Sequence, residues 1–271
     1  MARMKAAVFG AGGFIGSRLV KRLEREGWEV LALARGDERW REAELGHAFY
    51  CVGLTADFRS RPFETIDAHV GVAAEVLRAA RFDSFLYLSS TRVYAKGASG
   101  AETTPLVVDP ADPGDLYNLS KLMGEAACLA VDRPEARVAR LSNVYGHDPG
   151  SENFLASILR EAAGGAIRLR TGLESEKDYV ALDDVLDALV RISVAGRERI
   201  YNVASGVNTT HAAIVQALQD LTGCSVDVAP ASPVTRFPPI AAERLRALGV
   251  GPSRSVIEAL PALLSRVKGL G

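Results

Sequence analysis

The sequence predicts an α/β fold built on a doubly wound parallel sheet. Short apolar runs alternate with helix-period stretches through residue 146. The first run empties into a glycine-rich turn. Gly10, the pair Ser89–Ser90 and Asn143 fall at the carboxyl ends of three different runs. In an open parallel sheet the ligand crevice lies just beyond those ends, so the four positions would converge.

Each element has a local reason. "KAAVFG" (5–10) is short, apolar and closed by glycine, as a buried parallel strand should be. "FIGSRLVKRLEREG" (14–27) has helical periodicity and stops at Gly27. "WEVLALA" (28–34) is a second buried strand, which completes a βαβ unit. "GHAFYCVGL" (46–54) reads as a strand, 65–80 as a helix, and "FDSFLYLSS" (82–90) as a strand ending in hydroxyls. Residues 116–131 read as a helix and "ARVARLSNVYG" (136–146) as one further strand. The first turn spaces its glycines Gly10-x-x-Gly13-x-x-Gly16. It departs from G-x-G-x-x-G, because Ile15 takes the last glycine position of that frame. Such a turn lets backbone N–H groups approach a pyrophosphate at a helix N-terminus; a purely structural turn would use the same residues.

Composition excludes several classes. The 271 residues are 48% hydrophobic and 24% charged, with a net charge of −1, so nothing points to nucleic acid. No apolar run approaches the roughly 20 residues of a membrane span, and no signal-peptide pattern opens the chain. Cys51, Cys128 and Cys224 form neither a disulfide framework nor a zinc motif, which suits a reducing, cytoplasmic setting. His47, His69, His147 and His211 lack metal-ligand spacing, so no metal is expected.

"DLYNLSKLMGEA" (115–126) sets Tyr117 and Lys121 one helical turn apart on one face. A phenol has a pKa of about 10, too high for ready proton exchange at pH 7. A neighbouring ammonium favours phenolate, which makes Tyr117 a candidate general acid–base.

The ordered set "GAGGFIG" (10–16), "LSSTRVYA" (88–95), "ETTP" (102–105), "YNLSK" (117–121), "ARLSNVYG" (139–146), "KDYVALDDV" (177–185) and "YNVASG" (201–206) resembles an extended short-chain dehydrogenase/reductase of the NAD-dependent epimerase/dehydratase, nucleotide-sugar type. The resemblance spans roughly residues 5–206. It implies a Rossmann-type domain over 1–144 and 178–204, and a small substrate-binding lobe over 145–177 and 205–271. It makes Tyr117 and Lys121 the catalytic pair, with Lys121 also holding the nicotinamide ribose. Counting back from Val93 and Tyr94, it places the catalytic hydroxyl at Ser90, with Ser89 and Thr91 as near rivals. It gives Gly10, Gly13, Phe14, Ile15, Gly16 and Gly53 to the cofactor. Substrate candidates by the same resemblance are Ser90, Thr91, Asn143, Asn153, Lys177 and Arg236. Asn153 would equally serve as a helix N-cap. Lys177 stands where arginine is common before "DYV" and keeps the charge without the bidentate fork. Asp183 and Asp184 read as helix-capping residues, and His69 as a satisfied helix residue or a water-ordering group.

Two departures matter. Only ten residues, 36–45, separate the second strand from "GHAFY", too few for the usual helix and third strand. The acid that ends the second strand in NAD-specific relatives is replaced by Ala34, and Arg35 follows it. Losing the carboxylate removes repulsion against a 2′-phosphate, and a guanidinium can clamp one, so NADP(H) is expected ahead of NAD(H). Asp37 could still swing back to serve the ribose. The expected activity is nucleotide-sugar 4-ketoreduction. The alternatives are an epimerase with tightly held NAD, a reductase of a non-nucleotide carbonyl compound, and a non-catalytic dinucleotide-binding protein. The resemblance also implies a homodimer through helices 65–80 and 114–131.

Overall fold

The computed structural model describes residues 3–54, 57–146 and 151–268; His147 lies outside them. The strands are β1 (Lys5–Phe9), β2 (Glu29–Leu33), β3 (His47–Tyr50), β4 (Ser84–Ser90), β5 (Ala136–Leu141), β6 (Asn143–Tyr145), β7 (Ala166–Leu169), β8 (Glu176–Ala181), β9 (Ile200–Val203), β10 (Asn208–Thr210) and β11 (Ser225–Val228). The helices are α1 (Phe14–Arg25), α2 (Pro62–Ile66), α3 (Val72–Ala79), α4 (Leu116–Ala130), α5 (Phe154–Ala163), α6 (Leu182–Ala195), α7 (His211–Thr222), α8 (Glu243–Arg246) and α9 (Val256–Lys268).

Six parallel strands form the main sheet in the order β2-β1-β3-β4-β5-β9. β2 is outermost, and β3 lies directly against β1 on its other side. Residues 36–45 hold a single 3-10 turn, Arg39–Arg41, and no strand. Both faces of the sheet are covered. Leu19 and Leu23 of α1, with Val185, Leu189 and Ile192 of α6, bury one face; Ala73, Val76 and Leu77 of α3 and Cys128 of α4 bury the other. These strands are apolar on both sides and so read as continuous runs.

One strand expectation is corrected. Residues 136–146 form two strands, not one. The break is at Ser142, whose N–H donates to Val203 O at 3.0 Å and whose hydroxyl donates to Asp178 at 2.5 Å. β5 stays in the main sheet, while β6 crosses to a three-stranded sheet, β10-β8-β6. A two-stranded pair, β11-β7, joins α5, α7 and α9 around a separate apolar core that includes Leu159, Ile214 and Leu260.

The helix expected over 65–80 begins at Pro62 and is interrupted by a π turn, Asp67–Gly71. The tyrosines of β3 and β4 use carbonyls of that turn. Tyr50 donates to Ala68 O at 2.7 Å and Tyr87 to His69 O at 2.9 Å. Gly124 lets α4 press against it, since a Cβ there would fall 2.3 Å from the Tyr87 hydroxyl.

Candidate active site

The glycine turn is a built feature. Gly10 has φ +74° and its N–H donates to Leu33 O at 3.0 Å. A Cβ on Gly16 would sit 2.2 Å from Gly10 O, so α1 can start against the turn only with glycine there. Gly13 is the N-cap of α1 and offers no side chain to the helix's first N–H groups. Those groups stay available for an anion. Gly13, Phe14 and Ile15 line a cavity of about 530 Å³; Gly10 and Gly16 shape the turn behind it. Gly53 lines the same cavity, and a Cβ there would meet His69 Nε2 and Lys121 Nζ at 3.3 Å. This cradle fits the pyrophosphate and ribose of a dinucleotide.

A second cavity of about 470 Å³ adjoins it and reaches Thr235, Phe237 and Ile240. Ser90, Arg92, Tyr117, Ser142, Asn143 and Lys177 line both. The residues expected to react therefore stand where the two cavities share walls. Ser90, at the end of β4, shares the walls of both cavities with Tyr117, and its hydroxyl accepts from Arg92 N–H at 3.2 Å. Its rival Ser89 is buried and donates to Glu125, while Thr91 lines only the second cavity.

Burial pushes the Tyr117 phenol up; the Ser90 hydrogen bond and the Arg92 charge oppose that. Lys121 behaves otherwise than expected. Its ammonium donates to Leu88 O at 2.9 Å, and burial brings it down to about 7. The cation that faces Tyr117 is Arg92, 5.5 Å from the ring centre. His69 is fully buried and satisfied on both nitrogens. Nε2 accepts from Leu54 N–H at 3.2 Å, and Nδ1 lies 2.8 Å from Ser120 Oγ. Burial brings it down to about 3, so it is neutral. Its edge packs on Tyr117, with ring centres 5.3 Å apart.

Asn143 donates to Asp178 O at 2.8 Å. Asn153 lines the first cavity and caps α5, accepting from Ala156 N–H at 2.9 Å. Burial and the Arg92 charge lower the Lys177 ammonium. Asp184 accepts from Ser253 N–H at 3.0 Å, a structural role but not the helix cap expected of it, since α6 follows Ala181 without a side-chain cap. Arg236 is corrected: it is exposed, pairs with Glu174 and lines neither cavity, because its backbone bridges to Glu176 at the outer margin. Arg35 is exposed and also outside the lining. Its rival Asp37 is occupied by Arg39 at 2.5 Å.

The sequence reading missed Arg92 and Asp178. Arg92 is placed by contacts distant in sequence, Phe58 and Gly114. Asp178 accepts from Ser142, Ser205, Gly206 and Val207, which ties β8 to the chain after β5 and after β9. Its place in a quoted motif was the available signal.

A family model for the NAD dependent epimerase/dehydratase family matches residues 6–58 and 47–204. The chain belongs to that family. A UDP-glucose 4-epimerase of Mycolicibacterium smegmatis is 30% identical over 263 residues, covering 79% of this chain and 83% of that one. A dTDP-4-dehydrorhamnose reductase of Mycobacterium tuberculosis is 31% identical over 216 residues, covering 74% and 70%. A GDP-mannose 3,5-epimerase 1 of Oryza sativa subsp. indica is 25% identical over 245 residues; the match covers 75% of this chain but only 65% of that relative's length. Family folds agree. A Bacillus cereus UDP-glucuronic acid 4-epimerase, solved with UDP-glucuronic acid and NAD, superposes with a TM-score of 0.82 at 18% identity, covering 99% of this chain and 100% of that one. RMD of Pseudomonas aeruginosa, solved with NADPH, gives 0.79 at 22%, covering 100% of both. Among the described residues no helix is long and apolar enough to cross a membrane.

Proposed function

We propose that the protein is an NADP(H)-dependent 4-ketoreductase of a nucleotide-activated sugar. The observation that carries this is the meeting of Ser90 and Tyr117 at the wall shared by the glycine-turn cavity and the second cavity. In this reading residues 1–144 and 178–204 hold the cofactor, and 145–177 and 205–271 the sugar nucleotide. Gly13, Phe14, Ile15 and Gly53 hold the dinucleotide, and Lys121, freed from Leu88 O, takes the ribose. The bound nicotinamide supplies the hydride. Ser90 donates a hydrogen bond to the carbonyl oxygen, and Tyr117 gives that oxygen its proton as it becomes alkoxide. Asn143, Asn153 and Lys177 orient the sugar and its diphosphate. The intact Ser90, Tyr117 and Lys121 argue against a non-catalytic dinucleotide binder. Thermal shift with cofactor and a panel of UDP-, GDP-, dTDP- and CDP-sugars tests the substrate class, because a ligand confined to the folded state raises Tm.

Cofactor preference separates reductase from epimerase. Asp37 is engaged by Arg39, and the exposed Arg35 just beyond β2 makes no ion pair within 4 Å among the described residues, although its charge reaches Glu64. NADP(H) is expected to bind at least roughly tenfold tighter than NAD(H), about 1.4 kcal/mol. Calorimetry on wild type and Arg35→Ala checks it. Equal affinities, or NAD(H) binding tighter and indifferent to Arg35, would favour an epimerase with retained NAD, in keeping with the mycobacterial 4-epimerase relative.

We also expect a homodimer. Phe63, Ile66 and Val72, and Met123 and Leu129 of α4, are exposed large apolar residues on the helices that would pack across a two-fold. Sedimentation at micromolar concentration should give twice the chain mass, and Met123→Glu should lower it to one chain. A monomeric wild type would refute the dimer.

A further inference from the structure

Three cations crowd the Tyr117 end of the cleft. Arg92 lies 5.2 Å from the Phe58 ring centre and donates to Gly114 O at 3.2 Å. Arg59 covers the same Phe58 ring at 4.5 Å. Lys177 lines both cavities with Arg92. Among the described residues no carboxylate pairs with any of the three. Asp115, in the nearby 3-10 turn Pro113–Asp115, and Asp112, which caps that turn, are held by Lys96 at 2.7 and 2.9 Å. Asp178, the sole acid lining either cavity among the described residues, is saturated by hydroxyl and backbone donors. Burial lowers Arg92 and the Arg59 charge adds to that, against weaker support from Tyr117, Asp115 and Asp112; burial and then the Arg92 charge lower Lys177. Arg92 and Lys177 are half-buried while Arg59 is exposed; a half-buried cation without a carboxylate partner is costly, and an incoming anion relieves that cost.

A sugar nucleotide already brings a diphosphate. Lys177 and the first turn of α5, whose residues 153–155 line the first cavity, are suited to it. Arg92, backed by Arg59, remains as surplus charge beside the phenol. A guanidinium presents a planar fork that matches a carboxylate in two parallel hydrogen bonds. Building on the nucleotide-sugar reading, we propose that the sugar ring itself bears a carboxylate, as in a nucleotide-linked hexuronic acid, and that Arg92 is its ligand.

The test uses the cofactor-loaded protein and matched pairs: UDP-glucose with UDP-glucuronate, dTDP-glucose with dTDP-glucuronate, and GDP-mannose with GDP-mannuronate. For the base that binds, calorimetry should show the uronate at least about tenfold tighter than its neutral partner, the size of one charge-assisted contact. Arg92→Gln should collapse that gap by weakening the uronate, and Arg92→Lys should restore part of it. Cofactor affinity and Tm verify that each variant is folded. Equal affinity within every pair overturns the inference while leaving the nucleotide-sugar reading standing. So does an Arg92→Gln loss shared equally by both members, which would give the guanidinium to the diphosphate. Binding of cofactor but of no sugar nucleotide overturns that reading and the inference together.

Discussion

Tyr117→Phe should lower turnover by at least about 10²-fold, the low end for losing a general acid–base, while fold and cofactor affinity stay as they are. The phenol is buried against Phe58 and His69, with ring centres at 5.6 and 5.3 Å, and phenylalanine keeps both contacts. What is lost is the hydroxyl at the cavity wall that Tyr117 shares with Ser90. Turnover of the nucleotide sugar that the wild type converts, with cofactor titration as control, measures the effect. Near-wild-type turnover in the pure variant would remove Tyr117 from the chemistry.

Much of this centre is legible in the sequence. The strand–helix alternation, the glycine turn and the Tyr117–Lys121 spacing are local patterns, and local periodicity determines where side chains point along one element. The shortened connection after β2 could be counted directly. What stayed hidden depends on contacts between segments far apart in sequence. Arg92 looks like an ordinary loop arginine until Phe58 and Gly114 fold around it. Ser142 continues an apolar run, so the break between β5 and β6 shows only once Asp178 and Val203 reach it. Arg236 is a substrate candidate by resemblance alone, and in the fold it is exposed and paired with Glu174.

Arg140→Met should cost about 3–5 kcal/mol of stability, the usual penalty for stranding a buried charge. Arg140 on β5 and Glu125 on α4 are almost fully buried and meet at 2.6 Å. The carboxylate raises the Arg140 guanidinium and also accepts from Ser89, while Arg140 donates to the Tyr94 hydroxyl at 2.7 Å. Tyr94 in turn donates to Asn202 at 2.9 Å. This network holds the back of β4, takes Ser89 out of play and leaves Ser90 facing the cleft. Urea unfolding at neutral pH reads the change from the midpoint. Glu125→Met added to Arg140→Met should recover much of the loss, because the uncompensated carboxylate goes with it. A single variant that loses less than about 1 kcal/mol would show that the pair is not stabilising in this way.

The outermost place of β2 has a consequence for how copies of this chain meet. A bare strand rim presents unpaired amides and carbonyls, a template on which another chain can add a strand. Successive carbonyls of a strand point to opposite sides, and Leu33 O is already taken by the glycine turn, so Ala32 O points away from the sheet. Arg39 reaches back and donates to that oxygen at 2.8 Å, held in place by Asp37. The short connection thus brings its own guard against edge-to-edge aggregation, occupying an acceptor that an incoming strand would need and placing a charged side chain in its path.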